Sequence, residues 1–166
     1  IACSTGVPLV LRALAEKPEA IAACIFISPN FGLAHRGSNL MLQLPWVRHW
    51  GPLIMGRTRE YEPRSEGHKK YWTTRYDVQA IYTMMEAVSA AAKLDLATFL
   101  VPLATLFCPE DQVVSPEKIR MALQRWGGPR EILEMDKGRD PSGHLLLGTV
   151  MNPEQTDVAT DFALDF

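Results

Sequence analysis

Hydrophobic residues follow different spacings along this chain, and each spacing predicts a different element. The run IAACIFIS is apolar at almost every position and ends at PNFG, which is typical of a strand buried on both faces of a parallel sheet. The run VPLATLFCP has the same character, and REILEMD follows as a shorter strand. Together with the strand end that precedes Ser4, these runs predict a parallel sheet.

Segments with helical spacing separate these strands. GVPLVLRALAEKP has a partial apolar face, with Pro8 in its first turn and Pro18 just beyond its end. A later helix is predicted to begin at Asp77, with apolar residues recurring every three or four positions. SPEKIRMALQRWGG is predicted to be a helix with Ser115 as its N-cap. These helices are long enough to cover a sheet.

The remaining segments complete the predicted architecture. NPEQTDVATDFALDF predicts a terminal helix in which Asn152 is the N-cap and Gln155 completes a capping box. Residues 32–76 keep no long period and mix prolines, glycines and arginines, so we predict short helices and loops there. The order of elements predicts an α/β fold with three α/β/α layers and a mostly parallel sheet.

Composition narrows the possible functions. The 166 residues, 47% hydrophobic and 22% charged, suit one ordinary globular domain. A net charge of −2 provides no broad basic field, so we expect no nucleic-acid partner. No stretch approaches the ~18 consecutive apolar residues of a membrane span. The histidines are scattered and the three cysteines have no short spacing, which predicts no metal site and buried free thiols.

Polar residues with catalytic potential follow the predicted strands at their carboxyl ends, where sites form in open α/β sheets. Ser4 follows the first strand, Glu110 and Asp111 follow VPLATLFCP, and His144 lies in the loop after REILEMD. A serine hydroxyl becomes a nucleophile when an imidazole takes its proton, and a carboxylate fixes the imidazole tautomer. These residue types therefore predict acyl-transfer chemistry, with Glu110 as a rival to Asp111.

The motifs around these residues resemble those of the α/β-hydrolases. ACSTG is similar to the nucleophile elbow, with Ala2 where G-x-S-x-G has its first glycine, a position that requires a small side chain. FCPEDQVVSPEKI is similar to the acid-bearing turn, and SGHLLLGTVMNPEQTD to the histidine loop and final helix. The resemblance implies Ser4 as nucleophile, Asp111 as acid and His144 as base. It also assigns the backbone N–H of Thr5 to the oxyanion hole.

The resemblance extends over the whole chain but matches only the C-terminal half of a complete hydrolase domain. Residues 1–31 and 97–166 match the core, and residues 32–96 occupy the position of a cap or lid. The family's earlier strands, and the loop that supplies a second oxyanion donor, are absent from this sequence. We therefore expect the chain to work within a longer polypeptide that contains the missing N-terminal half.

The expected function is that of a serine hydrolase that cleaves a carboxylic ester or related acyl bond of a small molecule, through an acyl-enzyme and without a cofactor. Thioesterase, amidase and acyltransferase chemistry remain open because they use the same triad. A hydrolase-like protein that binds without catalysis also remains open. Free-looking cysteines and the lack of a signal sequence predict a cytoplasmic protein.

We call residues 32–96 the insertion, and its aromatic and methionine side chains have two interpretations. Its aromatic and methionine side chains either line an apolar acyl pocket or form the insertion's own core: Met41, Trp46, Trp50, Met55, Tyr71 and Trp72. Its histidines are interpreted as surface or packing residues: His35, His49 and His68. Its basic residues are interrupted by acidic ones and predict a solvated face: Arg57, Arg59, Arg64, Lys69 and Lys70.

Overall fold

Short apolar runs form a parallel sheet in the computed structural model, which describes residues 1–35, 37, 41, 42, 44 and 46–166, without the side chain of residue 55. The strands are, in chain order, β1 (Ala2–Cys3), β2 (Cys24–Ile27), β3 (Thr58–Glu60), β4 (Arg75–Asp77), β5 (Leu103–Phe107) and β6 (Arg130–Glu134). The main sheet has the order β1-β2-β5-β6, and every neighbouring pair is parallel. All of its carboxyl ends therefore lie along one edge.

Helices connect and cover these strands. They are α1 (Gly6–Glu16), α2 (Val47–Met55), α3 (Glu66–Tyr71), α4 (Gln79–Ala91), α5 (Pro116–Arg125) and α6 (Thr156–Asp165). Single 3-10 turns precede or follow some of them, at Pro18–Ala20, Leu96–Thr98 and Pro153–Gln155. The predicted alternation of strands and helices is confirmed.

The two faces of the sheet pack against different helices. Alternate side chains of β2 and β5, such as Phe26 and Phe107, join a core with residues of α1 and α5. The intervening side chains, such as Ile27 and Leu106, pack with Ala159 of α6 and with the loop before it. This alternation follows from the two-residue period of a strand, and it confirms the three-layer α/β/α fold.

Helix ends follow the predicted capping chemistry in part. Ser115 Oγ accepts a hydrogen bond from the backbone of Lys118 at 3.3 Å, as an N-cap does. Asp77 bonds the backbone N–H of Gln79 at 2.8 Å, although the residue that caps α4 is Val78. Asn152 is the N-cap residue of the 3-10 turn Pro153–Gln155, as predicted, but its side chain makes no cap hydrogen bond and bonds to the preceding loop. The predicted capping box with Gln155 is not formed, because Gln155 is itself the N-cap residue of α6.

The segment between β2 and β5 has its own small core. Leu42, Val47, Val78, Tyr82 and Met85 are buried together, separately from the residues that pack on the sheet. Short helices and loops are present there as expected, and β3 and β4 add an antiparallel pair that the sequence did not predict. All but one of the residues in that pair are exposed, so the pair has no hydrophobic period to detect.

The three cysteines differ in exposure. Cys24 and Cys108 are buried free thiols, as predicted, but Cys3 is exposed because β1 is an edge strand of the described sheet.

Among the described residues, no helix has both the length and the apolar character needed to cross a bilayer.

Two leucine-to-alanine substitutions test which face of α1 packs against the sheet. Leu11 is fully buried and Leu9, on the same helix, is 62% exposed. We expect Leu11→Ala to lower the free energy of unfolding by about 3 kcal/mol, because it removes buried methyl groups and leaves a cavity. The matched change Leu9→Ala is expected to alter it by less than about 0.5 kcal/mol. Urea unfolding measures both, and equal losses would contradict the assignment of the α1 face.

Candidate active site

Ser4 lies in a sharp turn between β1 and α1. Its φ of 48° is in the left-handed region, which is uncommon for a residue other than glycine. Backbone hydrogen bonds hold this conformation: Ser4 N–H donates to Ile27 at 2.9 Å, and its carbonyl accepts from Val7 and Asn30 at 3.1 Å. The turn connects strand to helix within two residues and leaves the Ser4 side chain partly exposed at the carboxyl edge of the sheet.

The residues that flank Ser4 approach each other closely, as a turn of this kind requires. A Cβ atom built at Gly6 would lie 3.8 Å from the Cβ atom of Ala2, which is ordinary van der Waals contact. Ala2 therefore fits where the usual motif has glycine, and a longer side chain at either position would crowd the other. The departure from G-x-S-x-G leaves the geometry of the turn intact.

His144 connects the other two predicted site residues. Its Nε2 lies 2.9 Å from Ser4 Oγ, and its Nδ1 lies 2.8 Å from Asp111 Oδ2. The side chain of Asp111 is fully buried and that of His144 is 10% exposed. Nδ1 donates to the carboxylate in the tautomer that leaves Nε2 free to accept a proton from the hydroxyl. The structure thus brings together three residues up to 140 positions apart in sequence.

Asp111, rather than Glu110, faces the imidazole. Asp111 Oδ1 accepts from the backbone N–H groups of Val113 and Val114 at 2.7 and 3.0 Å, which aims Oδ2 at His144. Glu110 is largely exposed and pairs with Lys137 at 3.3 Å. The turn after β5 therefore separates two neighbouring acids, one toward the site and one toward solvent.

The fold around Ser4, Asp111 and His144 is also that of known enzymes. Monoacylglycerol lipase from Paleococcus ferrophilus matches 99% of this chain over 67% of its own length, with a TM-score of 0.67 and 16% identity. A metagenome-derived lipolytic enzyme matches 98% of this chain over 62% of its length, with a TM-score of 0.69 and 17% identity. Mouse alpha/beta hydrolase domain-containing protein 10 matches 98% over 60%, with a TM-score of 0.51 and 17% identity. The chain has the α/β-hydrolase fold.

The chain spans about three fifths to two thirds of the length of the three proteins. No family model matches the sequence. No curated protein matches it significantly either.

In this α/β-hydrolase fold, the backbone of His144 is held as firmly as its ring. Asp140 Oδ2 accepts from the N–H groups of His144 and Leu145 at 3.0 and 2.9 Å. The hydroxyl of Ser28, at the end of β2, donates to the carbonyl of His144 at 2.7 Å. Asp140 and Ser28 are both fully buried, so these bonds are shielded from water. Sequence reasoning missed both residues.

Asn152 holds the other end of the histidine loop, which we define as residues 137–152. Its side-chain nitrogen donates to the carbonyls of Lys137 and Leu145 at 3.0 and 3.2 Å. Its side-chain oxygen accepts from the backbone of Arg139 at 3.1 Å. Asn152 is fully buried and cross-links a loop that has no regular secondary structure of its own. In the sequence, Asn152 directly before Pro153 predicts a helix cap and gives no sign of this cross-linking role.

The N-terminus of α1 lies beside Ser4. Thr5 is the N-cap residue of this helix, and its side chain accepts from Asn30 Nδ2 at 3.3 Å. Its backbone N–H has no acceptor among the described residues. A free N–H at a helix N-terminus favours negative charge nearby, both as a donor and through the helix dipole.

The aromatic and methionine residues of the insertion divide between its core and its surface. Met41 and Trp50 pack against the insertion core, whereas Trp46 and Tyr71 are mostly exposed. The side chain of Met55 lies outside the described part of the structure. A cavity of about 430 Å³ adjoins the core and reaches Val113, two residues after Asp111. Most of its lining is apolar: Leu33, Met41, Leu42, Arg59, Tyr76, Ala80, Ile81, Met84 and Val113.

The histidines of the insertion differ from one another. His35 and His49 are exposed, and His68 is buried in contact with Tyr61 and Trp72. Within the described part of the chain, no three His, Cys, Asp or Glu side chains converge as metal ligands would.

The carboxyl of Asp140 has a lowered pKa although it is fully buried. Burial by itself raises its pKa, but hydrogen bonds from Ser142, Leu145 and Arg64 outweigh burial and lower the pKa to about 2, from 3.8. Asp140 is therefore charged while buried, and its charge stabilises the folded state at pH values above about 4. That contribution is lost as the pH falls toward 2, because the unfolded chain takes up the proton first.

The acid limb of the stability profile tests this assignment. We expect the wild-type free energy of unfolding to include about 2 kcal/mol that disappears between pH 5 and pH 2. Asp140→Asn removes this term, so its stability is expected to be lower at pH 5 and to fall less steeply toward pH 2. Urea unfolding at a series of pH values measures both slopes. Equal slopes in the two proteins would contradict a charged, buried Asp140.

Proposed function

We propose that this chain carries the catalytic residues of a serine hydrolase that acts on carboxylic esters. The observation that supports the proposal best is the imidazole of His144, within hydrogen-bond distance of both Ser4 Oγ and Asp111 Oδ2. A hydroxyl, an imidazole and a buried carboxylate in this order form the arrangement that activates a serine. The fold, shared with a lipase and a lipolytic enzyme, supports the same reaction class.

The reaction proceeds in two acyl transfers. Ser4 Oγ attacks the acyl carbon while His144 Nε2 takes the hydroxyl proton, which gives a tetrahedral intermediate and an imidazolium. The buried carboxylate of Asp111 stabilises that imidazolium at Nδ1. The intermediate collapses to an acyl-serine as Nε2 returns the proton to the departing alkoxide. Water then attacks the acyl-serine with the same base, which releases the acid and restores Ser4.

The oxyanion of the intermediate is assigned to the N–H of Thr5. This group directly follows the nucleophile and lies at the N-terminus of α1. Its lack of an acceptor in the described chain leaves it available for a substrate oxygen. One such donor is worth about 10²–10³ in rate in enzymes of this type.

We assign residues 32–96 to a cap and the acyl group of the substrate to the cavity beside it. The cavity is mostly apolar and reaches the acid-bearing turn at Val113, so a hydrocarbon chain in it would lie near the site. Its volume of about 430 Å³ lies within the usual range of small-molecule sites. A fatty acyl or aromatic ester is therefore the preferred substrate class.

Thioesters and amides are the alternative substrates, because the same three residues serve any acyl transfer. Matched ester, thioester and amide substrates that share one acyl group separate these activities by kcat/KM in the full-length protein. We expect the ester to be preferred. A higher kcat/KM for the thioester would replace ester hydrolysis by thioesterase activity without changing the catalytic residues.

Paired substitutions in the acid-bearing turn test the proposed triad. Asp111→Asn keeps an acceptor for Val113 and Val114 but turns its amide N–H₂ toward His144 Nδ1. This favours the tautomer with a proton on Nε2, which no longer accepts one from Ser4. We expect kcat for ester hydrolysis by the full-length protein to fall by about 10³–10⁴-fold, as when the triad carboxylate is altered in serine proteases.

Glu110→Gln is the matched control. It changes the adjacent acid in the same way, but the side chain of Glu110 is exposed and, among the described residues, bonds only to Lys137. We expect its kcat to stay within about twofold of wild type. Equal losses in both variants, or no loss in Asp111→Asn, would rule out Asp111 as the residue that orients His144.

A further inference from the structure

A short segment of the insertion, which we call the anchor segment (residues 61–72), contacts the histidine loop. Arg64 Nη1 donates to Asp140 Oδ1, so a side chain of the insertion reaches the carboxylate that holds the backbone of His144. Arg64 is about half exposed, whereas Asp140 is fully buried. The basic residues of this segment are exposed, as predicted, and Arg64 in addition reaches a buried carboxylate: Arg57, Arg59, Arg64, Lys69 and Lys70.

Hydrogen bonds within the anchor segment fix the backbone of Arg64. The backbone N–H of Arg64 donates to His68 Nδ1 at 3.1 Å, and Ser65 caps α3 by accepting from the N–H of His68 at 3.0 Å. The ring of His68 is buried between two aromatic rings. Its centroid lies 5.7 Å from that of Tyr61 and 5.5 Å from that of Trp72. A guanidinium on so constrained a backbone loses less conformational freedom on pairing than an ordinary surface arginine.

A second contact joins the same two segments independently of charge. A Cβ atom built at Gly67 would lie 2.9 Å from a methyl carbon of Val150, closer than real Cβ atoms approach. The backbone of α3 at Gly67 therefore lies directly against the histidine loop, six residues after His144. Two contacts, one ionic and one steric, fix the anchor segment to that loop.

Asp140 connects these contacts to the site. Its Oδ1 accepts from Arg64 and from the N–H of Ser142, while its Oδ2 accepts from the hydroxyl of Ser142 and from the N–H groups of His144 and Leu145. Rotation of the carboxylate moves both oxygens together, so the cation on one side sets the acceptor on the other. Removing Arg64 leaves a buried carboxylate without its ionic partner, which favours rearrangement of the loop toward water.

We propose that Arg64 is a positioning residue that couples the insertion to His144 through Asp140. When the anchor segment is seated, the carboxylate of Asp140 is fixed and the His144 backbone places its ring between Ser4 and Asp111. When the anchor segment moves away, the backbone bonds of His144 and Leu145 loosen and the imidazole loses its alignment. This inference rests on the proposed function for its effect on rate, but the coupling itself is a property of the fold.

The test uses Arg64→Met and Arg64→Lys in the full-length protein, with hydrogen exchange of the His144 and Leu145 amides as the first readout. Arg64→Met keeps much of the side-chain volume and removes the cation, so both amides are expected to exchange about tenfold faster than in wild type. Arg64→Lys restores a cation and is expected to recover part of the protection. This measurement does not depend on any activity.

The second readout is hydrolysis of a soluble short-chain nitrophenyl ester. Arg64→Met is expected to lower kcat about tenfold and to leave KM within about twofold, because alignment of His144 changes and substrate binding does not. Arg48→Met is the matched control, since Arg48 is also a half-exposed arginine of the insertion and pairs with exposed Glu86 at 2.8 Å. It is expected to change neither exchange nor kcat.

Each outcome decides the proposal. Unchanged amide exchange in Arg64→Met, or the same change in Arg48→Met, overturns the coupling. Faster exchange with an unchanged kcat overturns the positioning role. A wild-type protein that hydrolyses none of the esters would refute the proposed function instead, and amide exchange alone would then decide whether Arg64 holds the loop.

Discussion

The parallel pairing of β1, β2, β5 and β6 is the constraint on which the rest of the molecule depends. Because every pair is parallel, the turns that follow β1, β2 and β5 all emerge at one edge of the sheet. The turn after β1 carries Ser4, the turn after β2 carries Ser28, and the turn after β5 carries Asp111. Distant parts of the chain therefore supply groups a few ångströms apart without any long connection through the core.

Holding a histidine at this edge requires a second layer of polar contacts. His144 lies on a loop without regular secondary structure, so no helix or strand ladder fixes its backbone. The fold uses buried side chains instead: Asp140 for its N–H, Ser28 for its carbonyl and Asn152 for the ends of the loop. Buried polar groups are costly unless they are satisfied, and here Asp140 and Asn152 each have several partners while Ser28 has the carbonyl of His144. These bonds fix the backbone of His144 where the proposed chemistry needs a defined geometry.

The sequence predicted the parts of this arrangement that depend on local pattern. Strands buried in a parallel sheet are continuous apolar runs, and Ser4 and Asp111 come directly or soon after such runs. The structure brings these two residues and His144, from the loop after β6, within hydrogen-bond distance of one another, and their catalytic roles stay predictions. From the sequence, Glu110 is an alternative to Asp111 as the acid of the site, because the side chains of adjacent residues in a turn point in different directions. In the structure, the backbone N–H groups of Val113 and Val114 set the direction of Asp111 by donating to its side chain.

The supporting residues were not predictable, for a physical reason. Asp140 and Arg64 are 76 positions apart, and each has the character of an ordinary surface charge in its local sequence. Only the tertiary fold buries one of them and brings the other to it. Asn152 shows the converse case, since its position before Pro153 is a typical helix start and the fold uses its amide for cross-linking. Local pattern selected the candidate site residues, and three-dimensional packing revealed what holds them.

The central claim is that Ser4 is an activated nucleophile, and covalent labelling measures that property directly. The full-length protein would be treated with a fluorophosphonate, which reacts with serines activated by an imidazole, and the modified peptide would be identified by mass spectrometry. The account predicts one phosphonylated residue, Ser4, at neutral pH, with labelling lost when the protein is unfolded before treatment. A folded protein in which Ser4 remains unmodified would contradict it.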